Sequence, residues 1–257
     1  DPITVELLRN RIASTMEEMD YHFFRSGYST IVRESRDFSC VVVDAQGRIL
    51  VAPWLFLHGA VYYYCIQRIY EIYGKDDLAE GDVFVTNHPY EGMMPHASDM
   101  GFIAPIFHDG KLVAFAGTIA HKADVGGTVP GSTYGSATEL YHEGLMIPPI
   151  RIHRAGEPVE DVMRLIAANT RAPYVVMGDI SGQIGVTRIA RSQIHDMCDR
   201  FGANIVTEAM GAMIGSSAKE FEAALKDVPD GTGEAEGFLD HDGVDITKKI
   251  RLHVRIT

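Results

Sequence analysis

The stretch GFIAPIFHDGKLVAFAGTIAH, residues 101–121, decides how the centre of this chain folds. Its apolar runs at 101–107 and 111–120 are joined through His108-Asp109-Gly110, and an Asp-Gly pair between two such runs favours a tight type I′ turn. The pattern predicts a β-hairpin. A two-residue turn sets His108 opposite Lys111, which carries Asp99 across from Ala120 and Ser98 across from His121. Just upstream, DVFVTN at 82–87 reads as a buried strand that runs into the polar loop HPYEGMMPHASD at 88–99, and loops leaving a scaffold strand commonly carry function. The open end of the hairpin therefore gathers His96, Asp99 and His121. Neighbouring strands lie roughly 5 Å apart, so these side chains converge if the segment 96–99 turns, since i and i+3 on a regular strand face opposite ways.

Outward from the hairpin, residues 3–26 place Leu7, Leu8, Ile12, Met16, Met19 and Phe23 near helical spacing, with Asp1-Pro2 as cap and first-turn pair and Gly27 closing the pattern. SCVVVD at 39–44 and RILVAP at 48–53 flank the turn-forming AQG and predict a second hairpin. Tyr62 to Tyr73 reads as an aromatic-rich helix closed by Gly74. VGGTVPGSTYGS at 125–136 has a backbone free to approach a ligand closely, or to serve as an ordinary surface loop. Helical patterns follow at 158–169, 178–201 and 204–226, before DHDG at 240–243 and the strand-like DITKKIRLHVRIT at 245–257. The expected fold is α/β mixed (α+β), β-hairpins with several long helices. A domain over 1–230 is expected to be followed at 231–257 by the start of a β-rich domain, in a chain truncated before that domain is complete.

The 257 residues are 46% hydrophobic and 23% charged, the balance of an ordinary globular protein, which excludes disorder as the main state. A net charge of −12 leaves no general basic surface for phosphates, so nucleic acid is not an expected partner. No apolar run approaches the roughly 18 residues that span a bilayer, and the basic start and apolar core of a secretory signal are missing. Cys40, Cys65 and Cys198 are odd in number and far apart, which argues against a disulfide framework or a cysteine zinc site. A cytoplasmic protein without membrane attachment is expected.

Two imidazoles and one carboxylate, here His96, His121 and Asp99, form a recognised set for Mn, Fe or Zn with positions left open for water or substrate. The alternative is three unrelated polar residues at loop ends. Asp124, in HKAD at 121–124, stands either to orient a ligand histidine or to cap its own loop. His58, which precedes a helix and could cap it, and His88 and Asn87, at the start of the loop that holds His96, are further candidates for supporting the ligands or meeting substrate; His142-Glu143 follows the Gly-rich segment. RESRDFS at 33–39 brings Arg33, Glu34, Arg36 and Asp37 together, a cluster of the kind that is usually solvated or paired, with a substrate role as the alternative. The cysteines sit in apolar or helical contexts and read as buried, inert thiols. Neither G-x-S-x-G nor G-x-x-x-x-G-K-[ST] occurs, so any ATP is bound elsewhere.

Taken together, RESRDFSCVVVDAQGRIL, GDVFVTNHPYEGMMPHASD, FHDGKLVAFAGTIAHKADVGGTVPGS and the later HEGLMIPP resemble the N-terminal region of the hydantoinase B/oxoprolinase family, from about residue 3 to the end. The family's hydantoinases and oxoprolinases open cyclic amides with ATP, and its acetone and acetophenone carboxylases carboxylate an enolate-type carbon. Both chemistries rely on a partner subunit or domain for ATP and Mg. In the carboxylase branch the resemblance implies a metal, manganese in acetone carboxylase, held by a His-x-x-Asp pair and the His before Asp-x-Gly-Gly, positions that fall on His96, Asp99 and His121. The implied protein is a metal-bearing subunit of an ATP-dependent cyclic-amide hydrolase of the hydantoinase/5-oxoprolinase type, joined in a hetero-oligomer to a hydantoinase A-like ATP-binding subunit. A ketone carboxylase subunit and a non-catalytic scaffold are the alternatives. Where family loops usually read Asn-Asp-Pro and Gly-Gly-Thr-His, this chain has Asn87-His88-Pro89 and Gly92-Met93-Met94-Pro95-His96, which implies either a more apolar substrate such as a ketone or a repacked loop.

Overall fold

The computed structural model describes residues 1–53, 55 and 58–257. Helix α1 (Pro2–Ser26) begins where Asp1 Oδ1 accepts from the Ile3 N–H at 3.2 Å, and Pro2 takes a first-turn position that needs no donor. It ends at Gly27 for reasons of space, since a Cβ there would lie 2.5 Å from Val32 Cγ1. A π-helical turn at Ile31–Ser35, which the sequence did not announce, delivers β1 (Phe38–Asp44). Then come α2 (Gly59–Tyr73), β2 (Val83–Thr86), β3 (Asp99–His108), β4 (Lys111–His121), β5 (Ile150–Arg154) and β6 (Glu157–Pro158). They are followed by α3 (Glu160–Ala168), α4 (Pro173–Phe201), α5 (Ala203–Leu225), β7 (Gly233–Leu239) and β8 (Ile250–Ile256).

The first six strands form one antiparallel sheet in the order β1-β4-β3-β2-β5-β6. Alternation sends Val41, Val43, Ile103, Phe115 and Ile119 to one face, where they pack on Tyr62, Cys65, Ile66 and Ile69 of α2. Phe38, Cys40, Val42, Ala116 and Ala120 point the other way, towards α1, α4 and α5, and Val85, Met100 and Phe102 meet Ile166 of α3 and Ile180 and Ile184 of α4 on that same side. The mixed α/β architecture with long helices is the expected one. β7 and β8 pair only with each other.

Three strand expectations change. The hairpin predicted over 39–53 does not form: β1 pairs along its length with β4, and the segment after it contributes a single bridge, Val43 to Ile49. The Asp44 carboxylate accepts from Gln46 N, Arg48 N and Arg48 Nε, which curls the chain. Ile49 then packs on the α2 face and Leu50 on the α1 face, so the segment wraps the sheet edge instead of extending it.

The central hairpin forms, with Asp109 at φ 49° and Gly110 at φ 74° as a type I′ turn requires. Its register is offset by one residue. Phe107 faces Leu112 but Ile106 faces Ala114, so Val113 is the extra residue of a β-bulge. From there to the open end the pairing is shifted, and Asp99 lies directly opposite His121 where a straight ladder would have placed Ala120. β5 also arises where no strand was expected, pairing with β2 through Phe84 and Arg151.

Candidate metal centre

The open end of the β3–β4 hairpin holds His96, Asp99 and His121, with one possible ligand atom from each lying within 4.8 Å of the others. The turn that sequence spacing required is present: Asp99 N–H donates to His96 O at 3.1 Å. Asn87 Nδ2 donates to Ala97 O at 2.7 Å and to Leu145 O at 2.7 Å, and its own Oδ1 accepts from Ile147 N–H at 2.7 Å. Glu143 Oε2 accepts from Ala97 N–H at 3.3 Å. The turn carrying His96 is thus fastened on both sides of its peptide by residues 46 and 10 positions away in sequence.

Asp99 is the hub. His96 Nε2 lies 3.4 Å and His58 Nε2 3.8 Å from Asp99 Oδ2, while His121 Nδ1 lies 3.6 Å from Oδ1. The Asp99 side chain is only 5% exposed, yet its buried Oδ1 has no hydrogen-bond partner among the described residues. Buried carboxylate oxygens are costly to leave unsatisfied, and a divalent cation among imidazoles at these separations is the type of group that satisfies one. The residues present therefore fit a metal ion. The His96 side chain is 43% exposed and opens the cluster to solvent on one side.

His58 starts α2 but makes no side-chain capping bond. Its ring turns inward, with Nδ1 2.9 Å from Ser39 Oγ, which is in turn 2.8 Å from Tyr62 OH. Gly117 makes room for that tyrosine, since a Cβ there would sit 2.6 Å from its ring. Burial pushes the His58 pKa below its ordinary value, against the attraction of Asp99 and Asp37, so the ring is held neutral at pH 7. Asp37, one residue before β1, places Oδ2 3.8 Å from His121 Nδ1. Sequence reading left Asp37 within a charged cluster; the pairing of Phe38 with Ala120, had it been anticipated, sets Asp37 beside His121.

The other candidates lie in structural roles. Asp124 does not reach a ligand histidine. Burial works against its charge, but N–H groups of Arg171, Gly126 and Gly131 and the Arg171 guanidinium outweigh it and hold its carboxyl at about 2. Arg171 also donates to the carbonyls of Gly126, Gly127 and Val129, so the glycine-rich loop closes on an arginine and not on a ligand. His88 Nδ1 accepts from Tyr90 N–H and Glu91 N–H within its own loop, and His142 Nδ1 accepts from Thr138 N–H. Met94 is buried against Gly101 in the α2-side core, whereas Met93 is 43% exposed. All three cysteines are buried, and burial pushes the Cys65 thiol up to about 12 and Cys198 up to about 11, as inert thiols require. On the opposite face of the sheet Lys122 is fully buried, donates to Gln183 Oε1, and is pulled down to about 8 by burial against the attraction of Asp179 and Asp99.

A mixed sheet-and-helix fold that sets a His-x-x-Asp turn beside a strand-end histidine defines a candidate metalloprotein, and the hydantoinase B/oxoprolinase family profile matches it over residues 1–257. The chain belongs to the hydantoinase B/oxoprolinase family. It is 35% identical to the hydantoinase B component of a putative D-/L-hydantoinase from a Pseudomonas species, an alignment that covers 100% of this chain and 44% of the relative. The crystal structure of the ATP-dependent caprolactamase from Pseudomonas jessenii superposes with a TM-score of 0.87 at 28% identity, over 93% of this chain and 41% of that one. Nucleotide-free acetone carboxylase shares the fold, with a TM-score of 0.82 at 20% identity over 99% of this chain and 35% of that one. The chain thus spans less than half the length of these relatives. Relatives in the family include hydrolase and carboxylase subunits, among them the beta subunit of the caprolactamase from Pseudomonas jessenii and the delta subunit of acetophenone carboxylase from Aromatoleum aromaticum. No described helix is long and apolar enough to cross a membrane.

Proposed function

We propose that this chain is the metal-bearing part of an ATP-dependent cyclic-amide hydrolase of the hydantoinase/5-oxoprolinase type, with His96, Asp99 and His121 holding a divalent Mn, Fe or Zn ion. The observation that carries the reading is the convergence of two imidazoles on a buried carboxylate whose Oδ1 has no hydrogen-bond partner among the described residues. When bound, the ion supplies Lewis acidity for the carbonyl of the substrate or of its phosphorylated form. The chain's own residues do the rest. Asn87 and Glu143 fix the 96–99 turn, and neutral His58, braced by Ser39, keeps Asp99 in place from the α2 side. Asp37 stands at the rim of the cluster, 3.8 Å from His121 Nδ1.

ATP is handled by a hydantoinase A-like partner subunit or domain, in a cytoplasmic hetero-oligomer, and the separate β7–β8 pair belongs to a β-rich unit that follows residue 230. Hydrolysis is preferred to ketone carboxylation because the chain is more similar to the hydantoinase relative, at 35% identity, than to the acetophenone carboxylase subunit, at 30%, and because Met94, one of the two loop methionines, fills the core. Elemental analysis of wild type beside His96→Ala and His121→Ala, each checked for folding by circular dichroism, tests the ligands. Near-stoichiometric metal in wild type and its loss in both variants is the expected result. Metal retained undiminished in both would favour a scaffold role. ATP turnover by the complete complex should depend on hydantoin or 5-oxoproline, and turnover with a ketone and bicarbonate alone would replace the hydrolase with a carboxylase.

A further inference from the structure

A polar cavity lies well away from the histidine cluster. It encloses about 280 Å³ between the start of β2, the middle of β3, the β5–β6 turn and α4, lined by Val83, Pro105, His153, Thr187, Arg188 and Arg191 among others. Along β3 it sits five to seven residues beyond Asp99, roughly 20 Å at about 3.3 Å per residue. The opening has a backbone cause. β2 begins only at Val83 and pairs with β3 no further than Ile103, so beside Pro105, which has no N–H to donate across a ladder, a gap is left under α4.

The charges in this gap are unbalanced. Asp82 is in the lining, but its oxygens are occupied by the Arg151 guanidinium at 2.9 Å and by N–H groups of Ala79 and Ala155. Arg188 and Arg191, one helical turn apart on α4, both reach the cavity and make no ion pair among the described residues. The nearby His153 is nearly buried, and burial, reinforced by Arg188, keeps its ring below the ordinary imidazole pKa and so neutral at pH 7. Two guanidinium charges with no counter-ion among the described residues thus line one cavity of a chain whose net charge is −12.

We infer that this cavity is an anion site for a phosphoryl group, free or as the monoester of a small metabolite, gripped by the Arg188 and Arg191 forks. Two guanidinium groups match the double charge of a phosphate monoester and its several acceptor oxygens better than the single charge of a carboxylate. The volume admits a phosphoryl group with a few attached carbons. The site is independent of the metal reading, because no residue is shared between them.

Isothermal titration calorimetry on the full-length protein, with any partner with which it is isolated, tests this using inorganic phosphate and glycerol 3-phosphate at constant ionic strength. Acetate serves as the singly charged control. Saturable binding is expected in wild type and in Arg164→Gln, an exposed arginine elsewhere, and at least roughly tenfold weaker binding in Arg188→Gln/Arg191→Gln. Tighter binding of glycerol 3-phosphate than of phosphate assigns the site to an ester, and the reverse assigns it to the free ion. The proposal is overturned if wild type takes neither probe, if acetate binds as tightly, or if the folded double variant binds unchanged. It is likewise overturned if neither probe binds and the double variant instead weakens a subunit contact, which would make the arginine pair a protein interface.

Discussion

Asp99 and Asp124 are both 3% exposed, and both belong to the polar segments that meet at the open end of the β3–β4 hairpin. Their surroundings differ in kind. Asp124 is saturated by N–H donors from three backbone positions and one guanidinium, whereas Asp99 has imidazoles at 3.4 to 3.8 Å and one oxygen with no partner. A carboxylate surrounded by donors that cannot leave is committed to holding a loop. One surrounded by imidazoles, each with a lone pair to spare, is arranged for a cation.

The largest expected effect is on the unsaturated member. Asp99→Asn should empty the site of metal and lower turnover of the complete complex by more than about a hundredfold, beyond what loss of a supporting group typically costs. Undiminished metal by elemental analysis would erase the distinction between the two aspartates. His58→Gln should weaken metal affinity by about ten- to a hundredfold in competition with a chelator while leaving the fold intact, because the ring supports Asp99 without being needed to bury it.

Asp124→Asn should leave metal content unchanged and destabilise the chain by about 2 kcal/mol in denaturant unfolding, the scale of hydrogen bonds to a charged group. Its acid behaviour gives a second measurement. The folded carboxyl is held at about 2, below its unfolded value of about 3.9. Its stabilisation is therefore complete above about pH 4 and is lost as pH falls towards 2, so the variant's melting temperature should show a shallower decline across that window. Asp37→Asn is expected to have the smallest effect, a change in turnover within about tenfold with metal retained, since Asp37 is 44% exposed and touches only the rim.

What sequence reading recovered was local. The Asp109-Gly110 turn, the 96–99 turn and the meeting of His96, Asp99 and His121 all depend on residues within a hairpin's length, where turn chemistry and alternation decide the outcome. The rest depended on partners chosen at a distance. β1 was given to the segment 48–53 because the two were adjacent, yet it joined β4, and with that choice Asp37 arrived beside His121. His58 read as a helix cap because nothing near it in sequence announces Ser39 and Tyr62. Asp124 remained ambiguous until Arg171, 47 residues on, supplied the guanidinium.

The bulge at Val113 carries a consequence for how the chain folds. A hairpin closing from the Asp109-Gly110 turn zips in microseconds, and a zipper that ran straight through would be complete, hydrogen-bonded and wrong by one residue. Such a trap would face Ala116 or Thr118 towards α2 in place of Gly117. Neither admits the Tyr62 ring, which already lies where even a Cβ on Gly117 would be 2.6 Å away. The docked position of α2 is therefore compatible only with a hairpin that has taken up the extra residue, and that is the hairpin that brings His121 to Asp99.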